Sequence, residues 1–204
     1  MNLDDWHLLF VSICVAIILI ACVPIVMAFI PSRDEPFLAL AILGKDGMAE
    51  SYYPDDDPNI ELGEMVHWTI YLSNHMGEVQ YVAVKVKLLN STNPSPISNS
   101  CTPSPAPMIY EVRRVLMKNE TGLFLFSWSI LDAAQNGDFL EIRALSVNGE
   151  TIETNALAIY GSDYRVVLEL WVFNKNLNEF EFGWDYDDEK RCAWNQIWFN
   201  VINE

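Results

Sequence analysis

The sequence predicts an all-β fold, an antiparallel β-sandwich, preceded by one N-terminal transmembrane helix. Three observations carry that prediction. Residues 8–30 read LLFVSICVAIILIACVPIVMAFI, 23 residues without a charge, enough at about 1.5 Å per residue to cross a hydrocarbon core of roughly 30 Å. From Phe37 onward, apolar residues recur every second position in short runs broken by Gly, Pro, Asn and Asp, with almost no helical periodicity. Asn148-Gly149 lies between two such runs and is the strongest short hairpin signal.

These observations divide the chain into a tail at 1–7, a membrane-spanning signal-anchor at 8–30, a juxtamembrane linker at 31–36 and a β-sandwich ectodomain at 37–204 with an exposed loop at 90–107. The tail MNLDDWH has no Lys or Arg, and the apolar run outlasts a typical h-region. The segment therefore reads as an anchor rather than a cleaved signal peptide. Val26-Met27-Ala28 is a cleavage-like triplet and keeps the second reading open. Pro24 lies inside the span, where membrane helices tolerate it, and Cys14 and Cys22 read there as small apolar residues. The linker is too short to act as a flexible stalk, which keeps the domain close to the membrane.

Along the domain, residues 37–43 (FLALAIL) are an apolar run of strand length, and Gly44-Lys45-Asp46-Gly47 turns after it. SYYPDDDPN at 51–59 is a loop. Val66, Trp68, Ile70 and Leu72 alternate with His67, Thr69 and Tyr71. After the Asn74-His75-Met76-Gly77 turn, Val82, Val84, Val86 and Leu88 alternate with Tyr81, Ala83, Lys85 and Lys87. Each run has one apolar and one polar face, as half-buried antiparallel strands do, so 65–89 is expected to be a hairpin. Residues 90–107 are Asn, Ser, Thr and Pro in low complexity and cannot form a central strand; a loop this long is usually functional or decorated. Residues 108–117 and 122–130 flank Lys118-Asn119-Glu120-Thr121 as another expected hairpin, and 131–138 has room for a short helical turn. The Asn148-Gly149 hairpin joins 139–147 to 151–160. Residues 166–173 and 179–186 flank a polar Asn/Lys segment, and 194–202 is a last strand. Nine or ten short strands with turn signals between them make a sandwich, and no fixed repeat suggests a propeller or solenoid.

The chain carries 12 Lys and Arg against 28 Asp and Glu, a formal charge of −16, of which Asp4 and Asp5 supply two. Such an acidic surface repels nucleic acid and anionic lipid headgroups, which excludes nucleic-acid binding. Arg33, beside Asp34 and Glu35, gives the positive-inside rule little to act on and by itself favours the domain inside. Three features favour outside. Asn90-Ser91-Thr92 and Asn119-Glu120-Thr121 fit the N-glycosylation acceptor pattern, and the domain has two cysteines, Cys101 and Cys192, a candidate disulfide in an oxidising compartment. Two unpaired thiols are the alternative. The expected location is the cell membrane, single-pass, with the C-terminal domain outside.

FLALAILGKDGMAESYYP, LGEMVHWTIYLSNHMGEVQYVAVKVKL and YRVVLELWVFN make up a pattern of apolar strand, Gly-x-Asp-Gly, Tyr-Pro, Gly-Glu and Asn-His-x-Gly-x-x-x-Tyr. Through residues 36–90 and 164–202 the chain resembles archaeal membrane-anchored ectodomains of unknown function. The most specific part is Asn74-His75-x-Gly77 followed by Tyr81. Where that family often has an acidic residue after the histidine, this chain has Met76. The resemblance implies an immunoglobulin-like sandwich facing the cell exterior. It implies no reaction and supplies no catalytic residue.

Few residues offer chemistry. Asp55, Asp56, Asp57 and Glu61, with Asn59, present oxygens suited to calcium, but without the Gly and terminal Glu of an EF-hand; a solvated turn is the plainer reading. Asp185, Asp187, Asp188 and Glu189 form a second acidic loop. His75, with no H-x-x-H or C-x-x-C spacing in the chain, lacks the ligands zinc needs and reads as a turn residue whose ring packs locally. Phe180, Phe182, Trp184 and Tyr186 share one strand face by parity, and Trp194 and Trp198 share another. Core packing is the plainer reading. A flat platform for a sugar or a protein makes Trp184, Tyr186, Trp194 and Trp198 interaction-surface candidates. No G-x-S-x-G, P-loop or G-x-G-x-x-G is present, so nothing points to an enzyme. The expected function is protein–protein interaction by an anchored ectodomain, in a structural role or as an accessory subunit of a membrane complex. A glycan- or calcium-binding surface module is the alternative.

Overall fold

The computed structural model describes residues 35–202 and, ahead of them, residues 6, 10, 11, 13–18 and 20. Two compact units divide the chain, Met1–Glu35 and Pro36–Glu204. In the first, residues 13–18 are helical. Among the described residues no helix is long and apolar enough to cross a membrane. Most of the expected span at 8–30, of the tail at 1–7 and of the linker at 31–36 lies outside the described residues.

The second unit is an all-β sandwich. Its strands are β1 (Leu38–Leu43), β2 (Asn59–Glu61), β3 (Val66–Asn74), β4 (Gln80–Leu89), β5 (Met108–Leu116), β6 (Thr121–Asn136), β7 (Phe139–Val147), β8 (Glu150–Ile159), β9 (Tyr164–Asn174), β10 (Glu179–Phe182), β11 (Trp184–Tyr186), β12 (Glu189–Arg191) and β13 (Trp194–Ile202). The first sheet has the order β1-β3-β6-β7-β8 and the second β2-β13-β9-β4-β5, with β10 paired onto β9 and β11-β12 as a separate ribbon. All ladders are antiparallel except β2–β13.

Alternation explains which side of each strand is inside. Val82, Val84, Val86 and Leu88 of β4 and Val66, Trp68, Ile70 and Leu72 of β3 are buried between the sheets. The centre is aromatic. Trp68 meets Trp128 edge-on at 5.4 Å, Trp128 meets Phe199 at 4.8 Å, and Phe199 stacks on Tyr164 at 5.6 Å, so one chain of rings crosses from sheet to sheet. Burying each such side chain contributes on the order of 2–3 kcal/mol. No interior space is left for a ligand there: the void among Val86, Phe126, Trp128 and Val166 is about 10 Å³.

The Asn148-Gly149 hairpin forms as expected between β7 and β8. Its two residues sit at φ 49 and 85, as a two-residue turn of this hand requires. Three other expectations are corrected. Residues 65–89 are not a hairpin: β3 pairs with β1 and β6, whereas β4 pairs with β5 and β9 in the opposite sheet. Residues 108–130 are likewise split, β5 in one sheet and β6 in the other. Residues 131–138 hold no helical turn, because β6 continues to Asn136 through a register shift between Ile130 and Asp132. That bulge interrupts the alternation and hides the strand from a period-two reading.

Gly183 ends the parity argument for the C-terminal aromatics. It lies at φ +86, and a Cβ there would sit 2.1 Å from the Arg191 carbonyl oxygen, so only glycine fits. The break separates β10, paired with β9, from β11, paired with β12. Phe180 and Phe182 therefore do not share a face with Trp184 and Tyr186 as one strand would require.

Candidate functional site

The outer face of the second sheet is covered by the chain's own residues 90–107. Most of this segment is exposed, but Pro96, Cys101 and Ser104 are buried. It is the loop expected at 90–107, with most of its residues exposed, and it is fastened at a few points to the polar face of β4 and β9. Lys87 and Glu169 lie on that face, with side chains 6% and 0% exposed, and pair at 2.9 Å. Glu169 also accepts hydrogen bonds from Lys87 Nζ at 3.0 Å on Oε1, from the Ser104 backbone N–H at 2.7 Å and from Trp171 Nε1 at 3.0 Å. Lys87 Nζ donates to the Ser104 carbonyl as well. A buried charge persists only when paired and hydrogen-bonded, and the segment supplies the missing partners.

A second tie lies at the other end of β9. Arg165 donates to Ser95 Oγ at 2.6 Å, to the Asn93 carbonyl and to Gln196 Oε1 at 3.2 Å, with its guanidinium 4.6 Å from the Trp198 ring. Burial lowers the Arg165 guanidinium from its ordinary value. Trp194 Nε1 donates to Ser98 Oγ at 3.0 Å. As a result, seven consecutive residues of β9, Tyr164 to Leu170, are buried on both faces.

The Asn74-His75-x-Gly77 turn has a structural explanation. Asn74 is fully buried. Its Nδ2 donates to the carbonyls of Glu78 at 2.8 Å, Leu116 at 3.1 Å and Met117 at 3.0 Å, and its Oδ1 accepts from the Met76 N–H at 2.9 Å. One amide thus joins the β3–β4 and β5–β6 crossings between sheets. His75 stacks on Phe37 at 4.5 Å and bonds Ser73 Oγ at 2.9 Å, the local packing expected of it.

The other residues singled out from the sequence are placed as follows. Asp55, Asp56 and Asp57 are exposed; Asp57 Oδ1 turns back to the Asn59 N–H at 3.0 Å, and the Glu61 backbone N–H bonds Glu64 Oε2 at 3.0 Å. Among the described residues no group of three or more His, Cys, Asp or Glu is arranged to hold a metal ion. Trp184 is buried in the core, not on a surface. Tyr186 is half-buried beneath Arg191, and Trp194 is half-buried against residues 90–107. Trp198 is exposed, with the Arg165 guanidinium over one face of its ring. Asn90 Nδ2 donates to the Leu157 carbonyl at 2.5 Å, and its Oδ1 accepts from Thr92 Oγ1 at 2.7 Å. Asn119 is exposed at φ 59. Cys101 and Cys192 are both free thiols, and both reach the Ser98 carbonyl oxygen, at 3.5 and 3.7 Å.

Two surfaces escaped the sequence reading. Tyr81, Phe173 and Phe180 cluster on the outer face with centroids 5.0–5.6 Å apart. Beside them, Lys85 Nζ lies 3.4 Å from the Trp171 ring centre, and burial lowers its ammonium from the ordinary value. The second surface is on β6. Leu123 and Leu125 point outward at 61% and 84% exposure, opposite Tyr71 and Thr69 of β3. The β7 ladder begins only at Trp128, so among the described residues 121–126 of β6 are paired on one side only. A groove beside this open edge is lined by Tyr110, Arg113, Arg114, Phe124 and Leu125. Period-two alternation hid it, since it marks Leu123 and Leu125 only as one face of an apolar strand.

No protein-family model matches the chain, and no curated protein matches it. Solved structures do. The CARDB domain of a Pyrococcus furiosus protein, solved with di-metal ions, aligns over 83% of this chain and 90% of that one at 10% identity and TM-score 0.39. A Listeria innocua β-glucosidase with gluconolactone aligns over 81% of this chain but 16% of its own, at 11% identity and TM-score 0.38. The Bacillus subtilis sporulation control protein Spo0M aligns over 83% and 50%, at 10% identity and TM-score 0.36.

Proposed function

We propose that this chain is a single-pass, membrane-anchored cell-envelope protein whose β-sandwich, outside the membrane, binds another membrane or envelope protein. The observation that carries the reading is the open edge of β6. Residues 121–126 offer unpaired strand backbone, and Leu123 and Leu125 stand exposed on it. Edges of this kind are normally blunted by charge, proline or a covering segment. Here the covering segment of the chain, residues 90–107, lies over the other sheet. An extended apolar segment of a partner fits such an edge by adding a strand, with Leu123 and Leu125 as its contacts.

Membrane attachment rests on the uncharged run at 8–30 and on the end of the sandwich where β1 begins. At that end the tips Phe37, Val79, Met117 and Leu177 are exposed beside Lys118 and Lys175. Exposed apolar tips suit a lipid interface, and here Glu78, Glu120 and Glu179 stand among the two lysines. No reaction is part of this reading.

The test is gentle detergent extraction of the native full chain, native-gel separation and mass spectrometry of the band, for the parent and for the Leu123→Asp/Leu125→Asp variant. A stoichiometric membrane or envelope protein is expected with the parent and is lost from the variant. A parent band holding this chain alone overturns the proposal, as does a partner the variant retains.

A further inference from the structure

Cys101 and Cys192 are far apart in sequence but neighbours in the fold. Cys101 lies in the segment that covers the second sheet, buried and at φ 44. Its Sγ is 3.5 Å from the Ser98 carbonyl oxygen and 3.3 Å from that of Lys190. Cys192 follows β12 directly, and its Sγ is 3.7 Å from the same Ser98 oxygen. The two thiols lie within hydrogen-bonding reach of each other, and each lies beside the backbone that carries the other. On Cys192's own side the backbone is held in place, since Gly183 packs so closely that a Cβ there would lie 3.0 Å from Cys192 Cβ.

We infer that Cys101 and Cys192 form a disulfide when the folded protein meets an oxidising dithiol–disulfide partner, and that this bond clasps residues 90–107 onto the β12–β13 connection. Half-buried Cys192 is the more accessible sulfur and attacks first; burial and the neighbouring Cys101 thiol push its thiol up to about 12, so the exchange quickens as pH rises. Its thiolate displaces one sulfur of the oxidant's disulfide, giving a mixed disulfide and one oxidant thiol. Cys101 then gives up its proton and attacks the Cys192 sulfur, releasing the second oxidant thiol. Two electrons and two protons pass from the protein to the oxidant, and one S–S bond forms. Oxidised glutathione performs the same exchange. The clasp adds a covalent tie to a segment otherwise held by Lys87, Arg165 and Trp194, and it does not depend on the β6 edge or its partner.

The experiment incubates the purified full chain in detergent with oxidised glutathione, alkylates it and measures intact and peptide masses. The expected result is a Cys101–Cys192 cross-linked peptide, neither thiol alkylated and no glutathione retained on either. Closing a loop of about 90 residues is expected to raise Tm by roughly 10 °C, reversed by reductant. Cys192→Ser and Cys101→Ser should each lose this redox-dependent shift while folding as the reduced parent does. Separate glutathione adducts on the two cysteines, both thiols alkylated after oxidation, or a cross-linked protein whose Tm does not move would overturn the inference.

Discussion

Removing Glu169 is the sharpest test of how residues 90–107 are held. The carboxylate is fully buried and satisfies Lys87, the Ser104 N–H and the Trp171 indole N–H together. Glu169→Leu fills a similar volume but strands a buried ammonium and two N–H groups. Breaking a buried ion pair on one side costs about 3–5 kcal/mol. Lys87 keeps the Ser104 carbonyl, which places the expected loss near the middle, about 4 kcal/mol. The double variant Lys87→Met/Glu169→Leu removes the stranded charge and leaves the two N–H groups and the Ser104 carbonyl, each costing about 1 kcal/mol, so its expected loss is about 3 kcal/mol. Urea unfolding of the full chain in detergent, followed by tryptophan fluorescence, measures both values. Limited proteolysis should cut within 90–107 faster in the single variant. The reasoning is refuted if Glu169→Leu costs under 1 kcal/mol, or if the double variant is less stable than the single one.

Two further predictions follow from buried polar groups. Asn74→Ala should cost about 3 kcal/mol in the same assay: the amide has only two protons to share among three carbonyls and accepts one more bond, about 1 kcal/mol for each of three satisfied sites, and a loss below 1 kcal/mol would show that the two crossings do not depend on it. Burial pushes the Tyr164 hydroxyl up to about 12 from 10. Below pH 10 both folded and unfolded chains keep the phenol neutral. Between pH 10 and 12 the unfolded chain ionises first, so stability should fall with rising pH, by on the order of 2 kcal/mol in total. Tyr164→Phe should flatten that part of the curve, and a slope the variant leaves unchanged would assign the loss elsewhere.

The alternation in β3 and β4 correctly identified which side of each strand is buried, yet it misassigned their partners. Two strands that turn apolar faces inward look the same in sequence whether they pair in one sheet or face each other across the core. Asn148-Gly149 was legible because its turn chemistry is local. The Asn74 crossing was not, because its decisive bonds reach Leu116 and Met117, more than forty positions away. Residues 90–107 show the converse. Their Asn, Ser and Pro composition suggested solvent, and most of it is exposed, but the Ser95 hydroxyl and the backbone of Asn93 and Ser104 turn inward to Lys87, Glu169 and Arg165, whose buried charges need those hydrogen bonds. The lysines of β4 looked like a solvated face for the same reason. Of the aromatic candidates, Trp184 is buried because Gly183 breaks the strand that parity took as continuous.

The entry strand gives the domain a mechanical character. β1 pairs with β3 along its whole length, from Leu38 opposite Asn74 to Leu43 opposite Thr69. The Phe37 carbonyl also accepts the His75 N–H at 2.9 Å. A pull on Phe37 in line with β1 loads this ladder in shear, so its hydrogen bonds share the tension and fail together, whereas a pull across the strand would unzip them one at a time. The buried Asn74 amide sits at the loaded end and spreads the force into both crossings between the sheets. A domain loaded through its first strand in this way resists being drawn out by a pull at residue 37.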